Sequence, residues 1–121
     1  MTPPIIVHIV DDDEPVRTSL SETLEVYGFQ TVIYATGSAF LNRIERGEGV
    51  LISDVRMTGM SGIELTRCLR LGGSTMPVIL VTGHADKALL AEASNVGADA
   101  IFEKPLALAT LLAELDRLTK I

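Results

Sequence analysis

The chain has 121 residues, 47% apolar and 21% charged, which suits one globular domain around a single core and is too short for two. Ten Lys and Arg stand against sixteen Asp and Glu, a net charge of −6, so nucleic acid and anionic membrane surfaces would repel it. The lone Cys68 excludes an internal disulfide, and no stretch reaches the roughly 18 apolar residues of a membrane span or has the form of a signal segment, so a reducing, cytoplasmic setting is expected.

In chain order, Ile5 to Val10 is a short, nearly continuous β-branched run, as expected of a strand covered on both faces. After an acidic turn, Val16, Leu20, Leu24 and Tyr27 fall at helical spacing, with Pro15 in the first turn and Gly28 as the stop. Thr31 to Tyr34 reads as a second strand. Ser38 to Arg46 reads as a short helix with Phe40, Leu41 and Ile44 inward, closed by Gly47. Val50 to Ser53 is the third strand, followed by an irregular loop and a helix in which Ile63, Leu65, Cys68, Leu69 and Leu71 supply apolar surface, ended by Gly72-Gly73. Pro77 to Val81 is the fourth strand, with Pro at its first position. A weakly patterned helix from Asp86 to Val96 stops at Gly97. Ala100 to Phe102 is a brief last strand, and Leu108, Leu111, Leu112, Leu115 and Leu118 pattern the last helix.

Strands alternating with helices through short connections predict an α/β fold: a doubly wound, five-stranded parallel sheet with right-handed crossovers. The flavodoxin-like order 2-1-3-4-5 is favoured, and it puts a crevice between strands one and three at their carboxyl ends. Val10 runs into Asp11-Asp12, Ser53 into Asp54, Val81 into Thr82, and the weaker last strand into Lys104-Pro105. All of these groups should meet at that crevice. Crowded carboxylates repel unless a cation sits among them, and oxygen donors without His or Cys select Mg²⁺, or Mn²⁺, over Zn²⁺. An aspartate can accept a phosphoryl group when a metal and an ammonium spread the charge of the transition state.

Ile9-Val10-Asp11-Asp12, Ser53-Asp54-Val55-Arg56-Met57, Val81-Thr82-Gly83-His84 and Phe102-Glu103-Lys104-Pro105 resemble the receiver domain of bacterial two-component response regulators, FixJ-type receivers above all. The resemblance spans residues 1–121 as one receiver domain of CheY-like (βα)5 fold, with no effector domain. It implies that Asp54 accepts a phosphoryl group from a sensor histidine kinase or a phosphotransfer protein. It further implies that Asp12, Asp54 and the Arg56 backbone carbonyl ligate Mg²⁺ directly while Asp11 acts mainly through a metal-bound water. Lys104 would then pair with one phosphoryl oxygen, Thr82 would donate to another, and a cis peptide would precede Pro105. The output surface would be the fourth helix, fifth strand and fifth helix, serving a downstream protein, a missing effector domain, or a homodimer formed on phosphorylation.

Two positions depart from that pattern. Thr58 stands where a proline is usual, which suggests a less rigid loop after Asp54. Ile101 stands where an aromatic switch residue is usual, with Phe102 after it. Arg56 and His84, each two residues past a site residue, are placed to tune loss of the phosphoryl group. Other residues have plainer roles: Asp13 and Glu14 as helix-capping acids, His8 as a hydrogen-bonded structural histidine, Cys68 as a small core residue. Of the consecutive Leu89 and Leu90, only one can face the core.

Three further functions compete. A phosphatase working through an aspartyl-phosphate generally has an acid two residues after its nucleophile, whereas Arg56 occupies that place here. An FMN carrier would need a Gly-, Ser- or Thr-rich loop where Asp11 to Glu14 lie. A receiver-shaped adaptor that signals without phosphate would not need Asp11, Asp12, Asp54, Thr82 and Lys104 together.

Overall fold

The computed structural model describes residues 5–43 and 48–119. The elements alternate as β1 (Ile6–Val10), α1 (Glu14–Val26), β2 (Gln30–Tyr34), α2 (Gly37–Arg43), β3 (Val50–Asp54), α3 (Gly62–Leu71), β4 (Val78–Thr82), α4 (Lys87–Val96), β5 (Ala100–Glu103) and α5 (Leu108–Thr119). The strands form one parallel sheet in the order β2-β1-β3-β4-β5, as the sequence predicts. Ile44 and Gly47, expected to complete and close the second helix, lie outside the described residues.

Successive strand residues point to opposite faces, so each strand feeds two apolar layers. Val7, Ile9, Ile52, Ile79 and Val81 pack with Leu24, Leu111 and Leu115 of α1 and α5. Val10, Leu51, Val78 and Leu80 pack on the other face with Phe40, Leu65, Leu69 and Leu89 of α2, α3 and α4. A strand covered twice has no polar face, which is why β1, β3 and β4 read as continuous apolar runs. Burying one such leucine or valine stabilises the fold by about 1.5–3 kcal/mol relative to exposure. Among the described residues, no helix is long and apolar enough to cross a membrane.

The helix ends carry the expected caps. Asp13 accepts from Val16 N at the start of α1, Asp86 from Leu89 N at the start of α4, and Ser61 and Glu64 form a reciprocal capping box on α3. Gly97 closes α4 at φ 89°, a left-handed position that an L side chain resists. Leu89 is 7% exposed and Leu90 44%, so the former is the inward one.

Two expectations for α3 are corrected. Cys68 is exposed, and so is Leu71 at 82%. The buried stripe runs through Gly62, Ile63, Leu65, Thr66 and Leu69, and positions 68 and 71 fall outside it. Thr66 is tolerated inside because its hydroxyl donates to the Gly62 carbonyl at 2.8 Å.

His8 is the structural residue expected. Its Nδ1 lies 3.0 Å from the Tyr34 hydroxyl, its Nε2 lies 3.0 Å from the Glu48 carbonyl oxygen, and Phe40 meets both rings edge-on. Burial holds the imidazole below its ordinary pKa, against the opposing effect of the Glu48 contact, so the neutral ring is favoured.

Gly62 fixes how closely α3 approaches β3. A Cβ there would lie 2.4 Å from the Asp54 carbonyl oxygen and 3.1 Å from both Val55 Cα and Leu80 Cδ2. Helix propensity alone would make Gly62→Ala stabilising by about 0.5–1 kcal/mol. Backbone cannot give way as a flexible side chain can, so overpacking wins, and the substitution should cost about 1–3 kcal/mol, read as a lower urea midpoint. An unchanged or raised midpoint would contradict this close approach.

Candidate functional site

Register brings the chemistry together. Val10 pairs with Ser53 across β1 and β3, so Asp11 and Asp54, one residue further along each strand, emerge side by side. Asp54 pairs with Val81, and Thr82 with Glu103, so Thr82 and Lys104 leave the neighbouring strands at the same end. One carboxylate oxygen from each of Asp11, Asp12 and Asp54 lies within 4.8 Å of the others. Lys104 Nζ reaches Asp54 Oδ2 at 3.4 Å and Asp11 Oδ2 at 3.9 Å. The predicted site therefore assembles from Asp11, Asp12, Asp54 and Lys104.

Asp54 has a carboxyl pKa above the ordinary range. Burial is the largest cause, Lys104 opposes it, and the neighbouring Asp11 adds to it. Beside the site lies a cavity of about 190 Å³, which Asp54 helps to line and which is walled by the apolar Val16, Leu20, Ile52, Val81 and Leu106. An acidic side chain against an apolar wall, with one ammonium for three carboxylates, is short of positive charge. Three converging carboxylates without nitrogen or sulfur donors suit a small, hard divalent cation.

Thr82 is at the site but not turned to it. It is fully buried, and its hydroxyl donates to the His84 carbonyl and accepts from His84 N, both at 3.3 Å. The loop after β4 is also held by Glu103, whose Oε2 accepts from Ala85 N at 2.8 Å. The side chains of Arg56 and His84 lie exposed. Ile101 is half-buried against the α2–α3–α4 layer. Lys104-Pro105 is cis, as the resemblance implies.

Two contributors were not singled out from the sequence, and a third was singled out for the opposite effect. Arg17 Nη1 donates to the Asp11 carbonyl at 3.1 Å and so braces the acidic turn from α1. Glu103 anchors the β4–α4 loop. Thr58 was expected to loosen the loop after Asp54, yet its backbone N–H and hydroxyl both donate to Asp12 Oδ2, at 3.0 and 3.3 Å. The loop is tethered where the sequence suggested slack. An arginine one helical turn into α1 and a glutamate just before the lysine were weak signals for the first two; a backbone N–H leaves none.

Comparisons with known proteins bear on the family and the fold. The family model described as the response regulator receiver domain matches residues 7–116. The transcriptional regulatory protein FixJ of Azorhizobium caulinodans is 41% identical over 108 residues, covering 88% of this chain and 51% of its own length. FixJ of Rhizobium meliloti is 40% identical over 112 residues, covering 92% and 55%. The chain thus spans about half the length of these curated relatives. Among solved structures, the crystal structure of FixJ-N superposes with a TM-score of 0.86 at 38% identity, covering 97% of this chain and 94% of that one. The BeF3-activated DrrB receiver domain gives 0.89 at 28% identity, covering 98% and 100%.

Proposed function

The chain belongs to the response regulator receiver domain family, and from that premise we propose that Asp54 is where it carries its phosphoryl group, received from a histidine kinase or a phosphotransfer protein. The observation that carries this reading is the placement of the Lys104 ammonium 3.4 Å from an Asp54 carboxylate oxygen, among three converging carboxylates. An Asp54 oxygen attacks phosphorus in line as the P–N bond of the donor phosphohistidine breaks. The imidazole leaves with the bonding pair. Charge builds on the three equatorial oxygens of a loose transition state. Asp12, Asp54 and the Arg56 carbonyl, with Asp11 mainly through a bound water, would hold a Mg²⁺ ion that would supply positive charge to offset it. Lys104 takes one phosphoryl oxygen, which unmodified Asp54 does not present.

The modification adds about 1.5–2 negative charges and new acceptors beside Thr82. Its hydroxyl then has a stronger partner than the His84 backbone, which biases the β4–α4 loop toward an inward conformation. The α4–β5–α5 surface reports this to a downstream protein, to a second copy, or to an effector region. As a signalling module the domain catalyses only its own phosphorylation and dephosphorylation.

Incubation with Mg²⁺ and acetyl phosphate should add the mass of a single phosphoryl group, stable to acid and labile to hydroxylamine. No gain in mass would favour a receiver-shaped adaptor. Thr82→Ala should still be phosphorylated but should show smaller amide chemical-shift changes along α4 and β5 than the wild type. Equal changes would remove Thr82 from the switch.

A further inference from the structure

Asp12 is the exposed member of the acidic cluster, and a carboxylate on an exposed turn is ordinarily free to sample several rotamers. Here it is not free. Oδ2 accepts from both the backbone N–H and the hydroxyl of Thr58, across 46 residues of sequence. In this same rotamer Asp12 offers an oxygen within 4.8 Å of those of Asp11 and Asp54. The two bonds therefore hold the carboxylate in the converged arrangement rather than away from it.

We propose that Thr58 is a positioning residue for the divalent cation, fixing Asp12 as a ligand and joining the loop after β1 to the loop after β3. The inference rests on the reading of Asp11, Asp12 and Asp54 as the metal site. An ionised carboxylate has about four acceptor positions, so two donors on one oxygen leave the other oxygen for the metal. Donors that orient a ligating carboxylate act on affinity without touching the ion. The tether also restrains the segment between Asp54 and Thr58, which includes the Arg56 carbonyl. A proline at position 58 could make neither bond, having no N–H and no hydroxyl. This chain thus replaces the ring stiffness usual at that position with a polar clamp on the opposite loop.

The test is the dissociation constant of Mg²⁺ by calorimetry, with Mn²⁺ by electron paramagnetic resonance as a second probe, on wild type, Thr58→Pro and Thr58→Ser. Position 58 is exposed, so neither change disturbs the core, and proline removes both donors while serine keeps both. Thr58→Pro should bind about 3- to 10-fold more weakly and Thr58→Ser within about 2-fold of wild type. Binding by Thr58→Pro within about 2-fold of wild type, or equal weakening in both variants, overturns the assignment. Absence of saturable binding in the wild type would instead overturn the metal-site reading beneath it.

Discussion

Asp54→Asn takes up no phosphoryl group from acetyl phosphate, and in the absence of divalent metal it melts at a higher temperature than the wild type. The loss follows from removing the nucleophilic oxygen, and neither Asp11 nor Asp12 replaces it because neither carries the 3.4 Å contact to Lys104. The gain in stability has the opposite sign for a separate reason. Asp54 sits beside an apolar wall and next to Asp11, and both raise its pKa by disfavouring the charged form. A carboxyl with a raised pKa in the folded state supports the fold most below its unfolded pKa. That support is lost as pH rises through the folded value, so at neutral pH the ionised group is a net cost. Asparagine removes the charge and keeps the shape. Added Mg²⁺ should reverse the ranking: a ligand at a hundred times its dissociation constant stabilises the binding form by about 2.7 kcal/mol, and the asparagine variant has lost a ligand. Two melting curves, with and without Mg²⁺, check both signs; a metal-free variant less stable than wild type would show that Lys104 outweighs burial and repulsion.

Lys104→Met should slow phosphorylation by acetyl phosphate about 10²-fold at saturating Mg²⁺, the usual cost of losing one donor aimed at developing charge. The side chain is 36% exposed, so solvent takes over part of its role and the loss is not larger. Its effect on stability should run opposite to that of Asp54→Asn, because Asp11 and Asp54 lose the one cation that faces both of them among the described residues. Initial rates by mass spectrometry decide the matter. A wild-type rate in Lys104→Met would reduce the lysine to a structural counter-ion.

What was legible in the sequence was whatever the sheet imposes on single residues. Doubly covered strands must be largely apolar, so β1, β3 and β4 announced themselves, and the polar residue at the end of each or just past it marked the crevice. The phase of α3 was harder. Cys68 and Leu71 are apolar by type yet exposed, while Thr66 is polar by type yet buried, and only the tertiary packing of the helix decides between them. The contacts that tune the site were hidden for another reason. Thr58 reaches Asp12 largely through its backbone N–H, and Glu103 acts on the N–H of Ala85, 18 residues away. Backbone donors are the same at every residue except proline, so no pattern of side chains reveals which ones are used.

Arg70, on the last turn of α3, donates to the carbonyls of Ser74, Met76 and Gly97 and pairs with Asp99, whose carboxylate in turn accepts from Val78 N. This one guanidinium nails the trailing end of α4 to the start of β4. The leading end is held by the Asp86 cap, by Glu103 on Ala85 and by the buried Leu89. With these guanidinium ties gathered at the trailing end, a displacement imposed at the leading end would be largest there and fade toward Gly97.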